Sequence, residues 1–237
     1  MNRNEFLKSE EKLYLNKFEA LRTRSDEYRL HLKSDQNLDE SKDIRFRFFN
    51  LMYLCLIYFD INLLFHLNKL IKPEDINSII PISDNATAFK ISNDYKVFNN
   101  NSLIYNTTTF VETFFRSVLR QVDGDYFAGA FWKAKERVFK LTDVKVDTDF
   151  WLAVTVLFHV RNGIHNNGLH IGTSQQTQRM RVTYRGKTFV YEHGFPMAGY
   201  DYETLLSIVE DILDGVYRMC NHPNLKQMPL IQDIGTV

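Results

Sequence analysis

Arg161 and His165 stand four residues apart in the segment Arg161-Asn162-Gly163-Ile164-His165. On a helix that spacing places both on one face. A guanidinium can grip a phosphate through two hydrogen bonds and keeps its charge at any working pH. An imidazole can trade protons near neutral pH. Asn162 adds a neutral donor and acceptor between them. Such a set could hold an RNA phosphodiester, draw the proton from the neighbouring 2′-hydroxyl and stabilise the developing charge. That chemistry calls for no metal and no cofactor. The plainer alternative is a histidine resting at a helix C-terminus, where the dipole favours it. Arg161 would then pair with Glu112 or another acid at the edge of the core.

The charge around this segment is one-sided. From Phe150 through Tyr191, 42 residues contain no Asp or Glu, yet they hold Arg161, Arg179, Arg181, Arg185, Lys187, His159, His165 and His170. The whole chain is balanced, with 29 basic and 29 acidic residues, so its net charge names no partner. A local basic stretch does attract polyanions. Arg179, Arg181, Arg185 and Lys187 are therefore the expected RNA-binding residues, set against the alternative of a solvated hairpin that happens to be basic. His165, His170, His193 and His222 match no metal-ligand spacing, and no metal site is expected. Phosphate loops, dinucleotide glycine patterns and nucleophile elbows are absent from the sequence.

The segment VRNGIHNNG, residues 160–168, resembles the signature of the HEPN superfamily, the higher-eukaryote and prokaryote nucleotide-binding domain. Residues 108–122, TTFVETFFRSVLRQV, look like the early helix of that family with its Glu, here Glu112. The resemblance covers roughly residues 107–220. It implies a helical bundle in which Arg161, Asn162 and His165 are the catalytic residues of a metal-independent endoribonuclease, possible in a toxin or antiphage defence effector. It also implies a homodimer through the motif face, and it leaves room for an antitoxin or other protein partner. Glu112 is expected to hold Arg161 in position. The family generally places four to six residues between the Arg and the His, whereas three stand here. On an ideal helix this turns His165 by about 100° relative to a four-residue gap. Some members of the superfamily have lost activity. The alternative function is accordingly a non-catalytic helical module that binds RNA, a nucleotide or a protein partner.

Several elements must position these residues. Tyr14, Phe18, Leu21, Ser25, Tyr28 and Leu32 alternate at spacings of four and three, which predicts a helix over 9–33 with one apolar seam. A second helix is expected from about Asp43 to Ile71, ending before Pro73. Its run from Phe48 to Leu67 is long and apolar enough to raise a membrane reading. Asp60, Asn50, Asn62 and His66 interrupt that run. A charge near the bilayer centre costs at least ~2.5 kcal/mol, so the expectation is a helix buried on nearly all sides by other helices, with no membrane partner and with Asp60 and His66 satisfied inside the bundle. Residues 76–106 lose periodicity and read as a connector.

A third helix is expected to open at Thr109, with Glu112 at capping-box spacing, and to stop near Asp123-Gly124. A fourth should span about Tyr126 to Leu141. A fifth should start at Asp147 or Thr148 and end near His165, before Asn166-Asn167-Gly168. Two alternating stretches around Arg185-Gly186-Lys187 predict a β-hairpin. A last helix should run from Tyr202 to Met219. The fold class is thus mainly all-α, a helical bundle with one small β-hairpin inserted before the last helix. The expected organisation is an N-terminal helical hairpin (1–75), a connector (76–106), the HEPN-like bundle (107–222) and a tail (223–237). Two distant cysteines and a charged N-terminal stretch without a signal-peptide pattern point to a cytoplasmic protein.

Overall fold

A computed structural model describes residues 3–82, 84–125, 128–172, 178–196 and 201–236. Helix dominates. Helix α1 spans Arg3–Gln36 and helix α2 spans Ile44–Lys69. They pack side by side: Phe18 stacks on Phe59, and Tyr28 meets Phe49 edge-on. Since residues early in α1 meet residues late in α2, the pair is an antiparallel hairpin. Ser25, the polar member of the α1 seam, is fully buried, and its hydroxyl donates to the carbonyl of Phe49 at 2.9 Å. A small hydroxyl at that position lets the α2 backbone come close and gives the buried group a partner. Asp43 caps α2, its carboxylate accepting from the Arg45 N–H.

The α2 face is less covered than its composition suggests. Phe46, Phe48, Phe49, Met52, Leu56, Phe59 and Leu63 enter the core. Leu54, Tyr58, Ile61 and Phe65, on the other side, are exposed. Among the described residues α2 is the one helix long and apolar enough to cross a membrane, and 44% of its most apolar window is buried by the fold.

The expected connector is helical. Helix α3 spans Pro73–Ile79, and helix α4 runs unbroken from Asn85 to Asp123. Asp84 caps α4 by accepting from the Thr87 N–H, and Gly124 ends it at φ 80°. Thr109, expected as a cap, lies inside α4, where its hydroxyl donates to the Tyr105 carbonyl. Asn99-Asn100-Asn101 is likewise carried within the helix. Asn is a weak helix former, not a breaker, and packing overrides a propensity of a few tenths of a kcal/mol per residue.

Helix α5 spans Phe131–Leu141, and helix α6 spans Asp149–His165, capped by Thr148. The expected start of α5 at Tyr126 lies outside the described residues. Strands β1 (Arg179–Tyr184) and β2 (Lys187–Glu192) form the antiparallel hairpin, with Val182, Tyr184, Phe189 and Tyr191 turned inward. Helix α7 spans Tyr202–Asn221, and the short helix α8 spans Pro223–Lys226. The architecture is the mainly-α bundle with a small hairpin ahead of the last helices.

A main core runs from Phe18 on α1 to Ile231 near the C-terminus, and a second, small cluster of Leu70, Ile76 and Ala88 seats α3. The tail is docked. The Ile44 N–H donates to the Ile231 carbonyl, and Asp43 forms a bridge with Gln232. Arg45 and Asp43, both buried, form an ion pair at 2.6 Å, and Arg45 also donates to the carbonyls of Leu225 and Met228. Helix α6 lies between α4, α7 and β1, which sets where its C-terminal residues emerge.

Candidate functional site at the end of helix α6

Helix α6 stops where Asn166-Asn167-Gly168 predicts. The Asn166 N–H donates to the carbonyls of Asn162 and Gly163, and the Gly168 N–H donates to the Gly163 carbonyl at 2.8 Å. Asn167 and Gly168 both have positive φ, 56° and 85°, which closes the last turn. The following loop is pinned to the far end of the hairpin: the His170 N–H donates to the Phe195 carbonyl, and the Gly194 N–H donates to that of His170. The end of α6 is therefore held from both sides.

This last turn divides cleanly between core and solvent. Val160 and Gly163 are buried, and Ile164 packs against the core. Arg161 is half-buried, and Asn162 and His165 are exposed. Arg161 Nη1 donates to Asn162 Oδ1 at 3.2 Å. The His165 ring meets Tyr105 of α4 edge-on, with centroids 5.5 Å apart. The structure thus brings Arg161, Asn162 and His165 together at one accessible helix end. It adds Tyr105, a neighbour that sequence reasoning missed because α4 was not expected to extend so far back.

Glu112 does not hold Arg161. It is engaged by Arg116 one turn along α4, at 2.9 Å to Nε and 2.7 Å to Nη2. Arg116 also donates to the Gly129 carbonyl. A partner at i+4 on the same helix is always within reach, and here it takes the carboxylate. Among the described residues Arg161 forms no ion pair.

The four basic hairpin residues separate into two pairs. Arg185 Nη2 lies 2.6 Å from Asp211 Oδ1, and its Nη1 lies 3.3 Å from Glu210. The Tyr184 hydroxyl donates to the same Asp211 at 2.6 Å. Lys187 pairs with Asp201 at 2.9 Å. Burial tends to raise the Asp201 pKa, but hydrogen bonds from Thr204 and Lys187 hold it down at about 2. The acid-free sequence stretch therefore lies against acids supplied by α7 and its cap. Arg179 and Arg181 are exposed and form no ion pair among the described residues.

His222 meets Asp143 at 3.2 Å, and His193 Nδ1 accepts from the Gly172 N–H. Among the described residues no group of three or more His, Cys, Asp or Glu is placed to hold a metal ion. Inside α2, His66 contacts the Ser92 hydroxyl at 3.0 Å. Asp60 meets Arg22 at 3.3 Å, but its buried Oδ1 has no hydrogen-bond partner among the described residues. The expectation that both are fully satisfied is met by His66 and not by Asp60.

No family model, no curated protein and no solved structure matches this chain.

Proposed function

We propose that this chain is a cytoplasmic, metal-independent endoribonuclease of HEPN type, acting as a toxin or defence effector, with its active site at the exposed end of α6. One observation carries the reading: Arg161, Asn162 and His165 lie together at a solvent-facing helix end, and Arg161 forms no ion pair among the described residues. Arg161 would hold the non-bridging oxygens of a phosphodiester in two charge-assisted hydrogen bonds. His165 would take the proton of the adjacent 2′-hydroxyl. The 2′-oxygen then attacks phosphorus, the bond to the 5′-oxygen breaks, and a 2′,3′-cyclic phosphate remains. The departing 5′-oxygen needs a proton, which the imidazolium of a second copy would supply in a homodimer formed through the motif face. Arg179 and Arg181 would steer the RNA backbone towards the site.

The test is a denaturing gel of mixed RNA substrates with wild type, His165→Ala and Arg161→Ala, each checked for folding by circular dichroism. Cleavage by wild type should persist in EDTA. Either substitution should reduce it by about 10²–10⁴-fold. Equal cleavage by all three proteins would identify a contaminant and overturn the assignment.

A second reading is favoured by a specific feature. Three residues separate Arg161 from His165, and the hydrogen bond of Arg161 goes to Asn162. A non-catalytic module would use the same surface to bind RNA, a nucleotide or a protein partner such as an antitoxin. Absence of cleavage across several substrates, with Arg161-dependent RNA binding retained, selects that reading.

A further inference from the structure

Helix α2 buries one side and leaves the other bare. Leu51, Leu54, Tyr58, Ile61 and Phe65 follow one another at alternating spacings of three and four. Such spacing draws a straight apolar seam along a helix. Leu54, Tyr58, Ile61 and Phe65 are all exposed. Within residues 51–65 the one charged side chain is Asp60, which is buried and meets Arg22 of α1. The exposed seam itself carries no charge.

Helix α4 widens this face. It runs antiparallel to α2: His66 contacts Ser92, the Tyr95 hydroxyl donates to Asn62, and the Cys55 thiol lies within hydrogen-bonding reach of Asn106. The Tyr95 ring lies 6.0 Å from that of Phe65, which closes the seam between the two helices at that end. Phe98 and Tyr105, seven residues apart, share one side of α4. The antiparallel alignment sets Phe98 alongside Ile61 and Tyr105 alongside Leu54. Exposure over these six residues runs from 38% at Leu54 to 68% at Phe98.

The face has the size of a dimer interface. With ~200 Å² for a fully exposed large side chain, six residues at about half exposure present on the order of 600 Å². Leu51, Ile57 and Ile91, partly buried, border them. They bring the face towards the ~800 Å² that each partner gives to a standard interface. Monomeric proteins seldom leave so large an apolar patch bare. The face is also free to meet its own copy. Its seam has no charge to repel itself, and the chain as a whole is neutral, with 29 basic and 29 acidic residues. Self-repulsion therefore does not oppose pairing.

We propose that the outer face of α2 and α4 is the surface through which two copies of this chain pair about a two-fold axis. In such a contact the same residues serve both partners, and the two α2 seams pack along each other. Tyr105 also meets His165 edge-on, so the interface reaches the end of α6. The pairing extends the motif-face homodimer of the ribonuclease reading onto α2, and it rests on that reading only where it brings a second copy beside His165.

Sedimentation equilibrium of the full chain at tens of micromolar should give twice the monomer mass of 28.0 kDa. Tyr58→Glu and Ile61→Glu place a charge in the middle of the face. Each should shift the mass to that of the monomer and raise the dissociation constant about 100-fold or more, with circular dichroism unchanged. Trp132→Glu, at an exposed apolar position on α5, should leave the dimer intact. His165→Ala should still pair, so loss of cleavage and loss of pairing are read separately. Should the Glu variants fail to fold, hydroxyl-radical footprinting of the wild type replaces them. Tyr58, Phe65 and Phe98 should be protected at high protein concentration and oxidised at low, and Trp132 oxidised at both. A monomeric wild type overturns the proposal, including one that sediments with phosphatidylglycerol vesicles and so gives the face to lipid. A dimer that survives both Glu variants, or footprints of Tyr58 and Phe98 indifferent to concentration, overturns it too.

Discussion

Asp60 shows how a single residue can work against the fold that contains it. Burial is the largest influence on its carboxyl, Arg22 opposes it, Glu19 adds to it, and the pKa rises to about 6 from an ordinary 3.8. The folded state therefore holds the Asp60 proton more tightly than the unfolded chain does. Below pH ~4 the group is protonated in both states and has no effect on stability. As pH rises from about 4 to 6, stability is lost, by an amount on the order of 2–3 kcal/mol once the carboxylate is fully charged. Asp60→Asn should thus stabilise the protein at pH 7.5 by on the order of 1–2 kcal/mol, less than the full shift because Arg22 loses its partner. The gain should vanish at pH 4. Urea midpoints of wild type and variant at the two pH values measure this, and an equal gain at both would rule the explanation out. The interruption of the apolar run by Asp60 was visible in the sequence. Its half-satisfied state was not, because the partner, Arg22, comes from another helix.

At the scale of elements, helix ends were the most legible feature. Asp43, Thr148 and Asp201 cap α2, α6 and α7 through side-chain oxygens, and Gly124 closes α4. These signals are local and act within three residues of the end they mark. The same local logic misplaced the start of α4, because a Thr three residues before a Glu also occurs inside helices. Crossings between helices were not legible. Gly215 on α7 is an example: a Cβ there would lie 2.2 Å from the Phe150 ring of α6. In an exposed helix, Gly→Ala stabilises by about 1 kcal/mol. Here Gly215→Ala should instead destabilise by roughly 1–3 kcal/mol, because Phe150 must leave its place in the core. Equilibrium unfolding in urea gives the sign directly, and a stabilised variant would show that α6 and α7 can separate at little cost.

Over the whole molecule, the N-terminal hairpin, the bundle and the tail share one core. Leu225 and Ile231 are fully buried. The carbonyls of Leu225 and Met228 accept from the buried Arg45, and the Ile231 N–H donates to Asp43. Ending the chain after His222 would expose that core edge and leave the Arg45–Asp43 pair with unfilled hydrogen bonds. A buried ion pair stripped of its partners is strongly destabilising. The truncated chain should lose at least about 3 kcal/mol, read as a lowered denaturant midpoint or the loss of a cooperative transition. An unchanged midpoint would show the tail to be a passive extension.

The sequence by itself determined the fold class, the hairpin around Gly186, most helix ends and the gathering of Arg161, Asn162 and His165 on one short segment. Each depends on spacing or turn chemistry within a few residues, which a linear reading can follow. Only the tertiary structure decided which charges meet. Arg185 and Lys187 were matched by acids of α7 and its cap. Lys135 of α5 was buried with no ion pair among the described residues, held by Thr155 and Trp151 of α6. Coulomb and hydrogen-bond partners depend on distance through space, and the order of residues along the chain does not fix that distance.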